Sequence, residues 1–204
     1  MGASLKAIPE EIEAEVLETD HLREIPIGKM AIWWFLASEI LVFGGLITGF
    51  VLYQFAHGGF AADAEHVKWR FGAFNTLVLV TSSMTMIMAL ASARAKNRSR
   101  TQLFLLLTIL LGCTFLCVKG FEYRGELHEG FYPSSGMFWS FYFGMTGLHA
   151  LHMLAGIVIN LMLLIAVTRK LSWEFLQRRI EYGGLYWHFV DVVWIFLFPL
   201  LYLT

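Results

Sequence analysis

Five apolar stretches, each long enough to cross a bilayer, constrain this chain more than any other feature. A hydrocarbon layer about 30 Å thick is spanned by roughly 20 helical residues rising 1.5 Å each. The stretches run from about Met30 to Phe55, Phe71 to Ala93, Gln102 to Phe121, Met137 to Val167 and Leu185 to Leu203. They predict an all-α membrane protein with five transmembrane helices. The fourth is longer than a bilayer needs, so it is expected to tilt or project. Composition agrees, with 57% hydrophobic and 15% charged residues and a mean hydropathy of +0.62. Soluble domains rarely have that balance. A net charge of -1 and the lack of a basic tract give no support for a nucleic-acid partner.

Residues 1–28 read differently. Glu10, Glu11, Glu13, Glu15 and Glu18 predict a solvated, acidic, cytoplasmic N-terminal arm ahead of a five-helix domain over residues 29–204. The N-terminus has no apolar h-region, so the first span is expected to bring the chain into the membrane. The connections, near 57–70, 94–100, 124–136 and 168–183, are too short to hold another domain. The run Pro133-Ser134-Ser135-Gly136 is a natural helix start. Basic residues divide unevenly. Lys6, Arg23, Lys29, Arg94, Lys96, Arg98, Arg100, Arg169, Lys170, Arg178 and Arg179 fall on one side, and Lys68, Arg70 and Arg124 on the other. The positive-inside rule then puts the N-terminus in the cytoplasm and the C-terminus outside, on the periplasmic face.

Six ionisable side chains lie inside or at the ends of the apolar runs: Glu39, Glu122, His149, His152, His188 and Asp191. A charge at the centre of a membrane helix costs ~2.5–3.5 kcal/mol on insertion scales. Such residues point to a proton path, a lipid or cofactor site, or polar helix packing. Glu39 lies ~15 Å along the first span from Lys29, near the bilayer midplane. Its alternatives are a functional role and a packing contact with Ser82 or Ser83. His149 and His152 share the spacing i,i+3, as do His188 and Asp191. Imidazole suits iron, copper and zinc, but a di-iron bundle needs several carboxylates and Glu-x-x-His pairs. No glutamate stands three residues before any of these histidines. Hydrogen-bonded structural or lipid-contact roles are therefore expected, with no metal site. Lys119 and Glu122, also at i,i+3, either pair or leave Lys119 to snorkel towards the headgroups. Cys113 and Cys117, at i,i+4, are expected to pack in the core as small apolar residues. Nucleotide-binding loops, HExxH, CxxC and nucleophilic triads are missing from the sequence.

Four motifs occur in order: WWFLASEILVFGGL, RFGAFNTLVLVTSS, FYFGMTGLHALHMLAG and YWHFVDVVWIFLFPLLY. Together, over about residues 30–204, they resemble the cytochrome c oxidase subunit III family of haem-copper terminal oxidases. The resemblance implies a non-catalytic subunit of a proton-pumping cytochrome c oxidase, multi-pass in the bacterial inner (plasma) membrane. It implies no cofactor in this chain, with haem and copper in partner subunits. It also implies packing on catalytic subunit I beside subunit II and a small subunit IV, phospholipids held in a cleft, support for sustained proton uptake, and membership of a respiratory supercomplex. Glu39 and His152 match the family's lipid-side residues, and Arg169 is the counterpart of a lipid-contacting arginine, though out of clear register. Glu122, His149, His188 and Asp191 fall in its structural polar motifs. The alternatives within the resemblance are subunit III of a quinol oxidase and the accessory subunit of a nitric oxide reductase. Outside it stand an independent metal-containing membrane enzyme and a transporter using Glu39. The chain departs from seven-span relatives in lacking the first two spans, which wall the lipid cleft. It also departs in carrying Lys119 where many relatives have a neutral residue.

Overall fold

The computed structural model describes residues 27–60 and 67–203. The acidic arm expected over residues 1–28 lies outside them, apart from its last two residues, which already belong to a helix. Five long helices follow: α1 (Ile27–His57), α2 (Trp69–Arg94), α3 (Arg98–His128), α4 (Met137–Thr168) and α5 (Trp173–Tyr202). Each is long and apolar enough to cross a membrane. Among the described residues there is no strand. Helices suit the bilayer because each satisfies its own backbone N–H and C=O groups where no water is available.

Two boundaries differ from the hydropathy reading. The polar segment before Leu185 is mostly the first three turns of α5, which start at Trp173. Its apolar residues are spaced for one face, so Leu176, Ile180 and Gly183 are buried while Arg178 and Glu181 are not. A window tuned to continuous apolarity passes over such an amphipathic entry. Likewise α3 runs on to His128, about two turns beyond the apolar run, carrying Glu122 and Glu126 on its inward face.

Helices α2, α3, α4 and α5 form a closed ring of neighbours, each packed on the next and α5 returning to α2. Helix α1 stands outside that ring and rests on α4 and α5. Few α1 residues are buried, namely Leu36, Phe43 and Phe50. The ring closes around Trp187, which has no solvent exposure. Its indole N–H donates to Ser82 Oγ at 2.8 Å. Gly112 on α3 and Gly156 on α4 make room for the indole, since a Cβ at either position would lie 2.8 or 2.9 Å from its ring carbons. About two turns further along α5, the Trp194 N–H donates to Thr76 Oγ1 at 3.0 Å. At the other end, Arg98 donates to the Val167 and Leu171 carbonyls at 3.1 and 2.9 Å. It thereby adds a side-chain donor to the turn that joins α4 to α5.

Cys113 and Cys117 are exposed free thiols on the outside of α3, contrary to the core position expected. The buried stripe of that helix follows Leu105, Thr108, Gly112, Phe115 and Lys119. The two cysteines lie off this stripe, on the outer surface of the helix.

Candidate functional site

One buried polar cluster joins three helices. Lys119 and Glu122 on α3 are both 2% exposed. Nζ lies 3.2 Å from Glu122 Oε2. Lys119 also donates to Tyr142 Oη on α4 at 3.0 Å and to Tyr202 Oη on α5. Both phenols then donate to Glu122 Oε1, at 2.6 Å from Tyr142 and 2.7 Å from Tyr202. An ammonium has three hydrogens and no acceptor, and here all three have partners. The lysine does not snorkel, because its charge is met where it stands. Nζ also sits 4.6 Å from the Tyr142 ring centroid and 5.1 Å from that of Tyr202, which adds cation–π attraction. One turn beyond, Glu126 is buried with neither carboxylate oxygen bonded to the protein.

The second ionic contact bridges α1 and α4. Glu39 Oε2 lies 3.0 Å from His152 Nε2, with the side chains 15% and 14% exposed. The other ring nitrogen, Nδ1, is 2.9 Å from the Leu148 carbonyl. A carbonyl only accepts, so Nδ1 carries a hydrogen. A single further proton is then shared across the 3.0 Å gap, either as carboxylic acid donating to imidazole or as imidazolium donating to carboxylate. Phe43 stands edge-on to the imidazole at 5.3 Å. The Tyr186 hydroxyl donates to the His152 carbonyl at 3.0 Å. The serine partners considered for Glu39 are engaged elsewhere, Ser82 with Trp187 and Ser83 with His188. The reason is architectural: α1 packs on α4 and α5 rather than on α2.

The remaining residues separate. His149 is fully buried, wedged edge-on to Phe115 at 5.3 Å and beside Trp194 at 5.2 Å. Three residues on, His152 turns instead to α1, so the two histidines do not form one site. His188 Nδ1 pairs with Ser83 Oγ at 2.7 Å across α5 and α2. Asp191, 5% exposed, has the Ser83 hydroxyl beside its carboxylate, but that hydroxyl is engaged by His188. Arg169 caps the end of α4, ~25 Å along the helix from His152, and is not brought to the Glu39 pair. Among the described residues no three His, Cys, Asp or Glu side chains converge as metal ligands would.

Outside the membrane-spanning segments, Lys68 pairs with Glu129 at 2.7 Å and joins the start of α2 to the end of α3. The hydrogen bond to Glu129 holds the Lys68 ammonium above its ordinary value, against a smaller opposing effect of burial. Sequence reasoning had no reason to single out Tyr142 or Tyr202, and it named Ser83 only as a possible partner of Glu39. The only signal was a hydroxyl set in an apolar run at helical spacing from the inward face.

The chain matches the family model described as cytochrome c oxidase subunit III over residues 9–204. It belongs to the cytochrome c oxidase subunit III family. Its relatives in that family include the probable quinol oxidase subunit 3 of Staphylococcus aureus strain USA300, 31% identical over 180 residues. The alignment spans 87% of this chain and 89% of that protein. The probable quinol oxidase subunit 3 of Staphylococcus saprophyticus is 32% identical over the same length and coverage. As a subunit III of a haem-copper oxidase, the chain is a multi-pass protein of the plasma membrane that associates with other oxidase subunits. The five spans of this subunit III are the five helices described above.

Proposed function

We propose that this chain is the non-catalytic subunit III of a proton-pumping haem-copper terminal oxidase that takes its electrons from a membrane quinol. The donor is the half of the proposal carried by a single observation: relatives named quinol oxidase subunit 3 align over nearly the whole of both chains. The family's own description names cytochrome c, and that donor is the second reading. Haem and copper reside in the catalytic subunit, with subunit II and a small subunit IV as further partners. The N-terminus faces the cytoplasm.

Within this subunit the polar residues hold helices and a lipid-side surface. The Lys119 cluster ties α3 to α4 and α5. The Glu39–His152 pair fastens α1, whose outer face presents Ile40, Leu41, Leu52 and Phe55 to the surroundings. That face is where phospholipids and the catalytic subunit would meet the chain, and the pair's role is to sustain proton uptake through repeated turnover.

Gentle purification from native membranes should yield one complex with subunits I and II, haem and copper. Oxygen consumption should be fast with a reduced quinol and slow with reduced cytochrome c. The reverse preference would establish the second reading. Stoichiometric iron or copper in the isolated chain would overturn the accessory role.

A further inference from the structure

A second membrane-facing site opens between α2 and α5, which pack directly on each other. It is a cavity of about 450 Å³, within the range of small-molecule pockets. Its walls are apolar. Val80, Met84, Val192 and Ile195 line it, and each is about half exposed on the outer surface of the bundle. Four polar side chains line it: Thr76, which accepts from the Trp194 N–H, and the neighbouring trio Ser83, His188 and Asp191. Ser83 and His188 are already paired at 2.7 Å. Asp191 is not. It is 5% exposed, and the hydroxyl beside its carboxylate, Ser83, is already engaged by His188, leaving the carboxyl short of hydrogen bonds. Such a buried carboxyl is expensive in any medium and more so in hydrocarbon, so a group that supplies the missing bond binds there with advantage.

Depth selects the ligand. Ser83 lies about 21 Å along α2 from Trp69 and about 17 Å from Arg94. Asp191 lies about 17 Å from the end of α5. The polar trio therefore sits near the middle of a hydrocarbon layer about 30 Å thick. A phospholipid headgroup stays at the surface, about 15 Å away. What is needed is a compact hydroxyl-bearing head on a fully apolar body, soluble in the core and able to enter sideways. We infer that this cavity binds a membrane hydroquinone, with one ring hydroxyl on Asp191, the ring between Val80 and Val192, and the isoprenoid tail leaving past Met84 and Ile195 into lipid. Asp191 serves in either protonation state, accepting from the hydroxyl or donating to the ring oxygen. The second nitrogen of His188 makes no hydrogen bond among the described residues and stands beside the same ring. The inference concerns binding alone and does not depend on which donor reduces the oxidase.

The test uses the purified intact complex and an azido-substituted quinone carrying an isoprenoid tail. After illumination, peptides are mapped by mass spectrometry. Labelling is expected on α2 near Met84 and on α5 near Val192, and excess unlabelled quinol should suppress it at least tenfold. A polyprenol of equal tail length should not. Asp191→Leu should remove the label by deleting the polar partner. Val80→Trp should remove it by filling the cavity while leaving Ser83, His188 and Asp191 untouched, and it decides the matter if the Asp191 variant fails to assemble. Three results would overturn the inference: no label on this subunit in the assembled wild-type complex, label surviving Val80→Trp, or equal competition by the polyprenol. The donor question is answered separately, by oxygen consumption with quinol or cytochrome c, so the two readings fail independently.

Discussion

Lys119 and Glu122 face each other across one turn of α3 and are sealed in by Tyr142 and Tyr202. Glu39 and His152 meet across two helices, and about a seventh of each side chain stays exposed. Both are ionic contacts inside a membrane bundle, yet they are built to different ends. In the first, every hydrogen of the ammonium is engaged and three helices are locked to one point. In the second, one shared hydrogen bond holds a peripheral helix, and the surrounding groups are aromatic edges and lipid-facing side chains. A buried charge pair is costly to assemble and more costly to break. The first contact therefore behaves as structure, and the second is free to be adjusted by what docks against α1.

Breaking the sealed cluster should have the largest effect. Lys119→Met leaves Glu122 buried without its counter-charge and is expected to cost ~3–5 kcal/mol, seen as a lower melting temperature and poor recovery of the complex. The double change Lys119→Met with Glu122→Gln should recover much of that loss, because neither charge then remains. If the double variant is as unstable as the single one, the cluster is not acting as a charge pair.

Overfilling the ring comes next. Gly156→Val puts carbon against the Trp187 ring, where a Cβ already approaches to 2.9 Å, and overpacking of this kind costs ~1–3 kcal/mol. Thermal unfolding of the complex measures it. A neutral outcome would mean that Trp187 can withdraw from its seat.

The open pair should matter less to stability than to endurance. Glu39→Gln keeps a donor facing His152 and should change stability by no more than the ~0.5–1.5 kcal/mol of one hydrogen bond. Haem content and initial turnover should match the wild type, with activity declining sooner over successive turnovers. Immediate loss of all oxygen reduction would place Glu39 in the same class as Lys119 and remove the contrast.

The smallest effect is expected at the surface. Glu129→Gln deletes the exposed partner of Lys68 and should cost less than ~1 kcal/mol. Because the Lys68 ammonium is held above its ordinary value, the pair's contribution is complete below the unfolded lysine value of about 10.4. It disappears as pH rises through the higher folded value. The difference in melting temperature between wild type and variant should thus shrink in strongly alkaline buffer and persist at neutral pH.

How much of this was legible in the chain depends on which signal carried it. The five spans follow from continuous apolarity, and the family follows from motif order. The first turns of α5 were hidden because amphipathic residues dilute the average hydropathy around Leu176 and Ile180. Spacing offered Lys119 and Glu122 as a pair or left the lysine to snorkel, and the structure shows the pair, since one turn of helix fixes that distance. It could not supply Tyr142 and Tyr202, which arrive from other helices. It also sent Glu39 towards Ser82 and Ser83, because nothing local says that α1 bypasses α2. The cysteines failed for a related reason: in a membrane protein the outside is as apolar as the inside, so hydrophobic neighbours do not mark the core.

The position of α1 also has a consequence in time. Glu39 and His152 are more than a hundred residues apart in sequence, and chains grow at roughly 5–20 residues per second. For roughly 6–20 seconds of synthesis, the first span exists while the helix carrying its ionic partner does not. During that interval the Glu39 carboxyl must be met by a proton, by water or by another protein already in the membrane. A subunit of the oxidase waiting there would engage α1 before this chain is finished, so assembly of the complex and folding of the subunit would be one event.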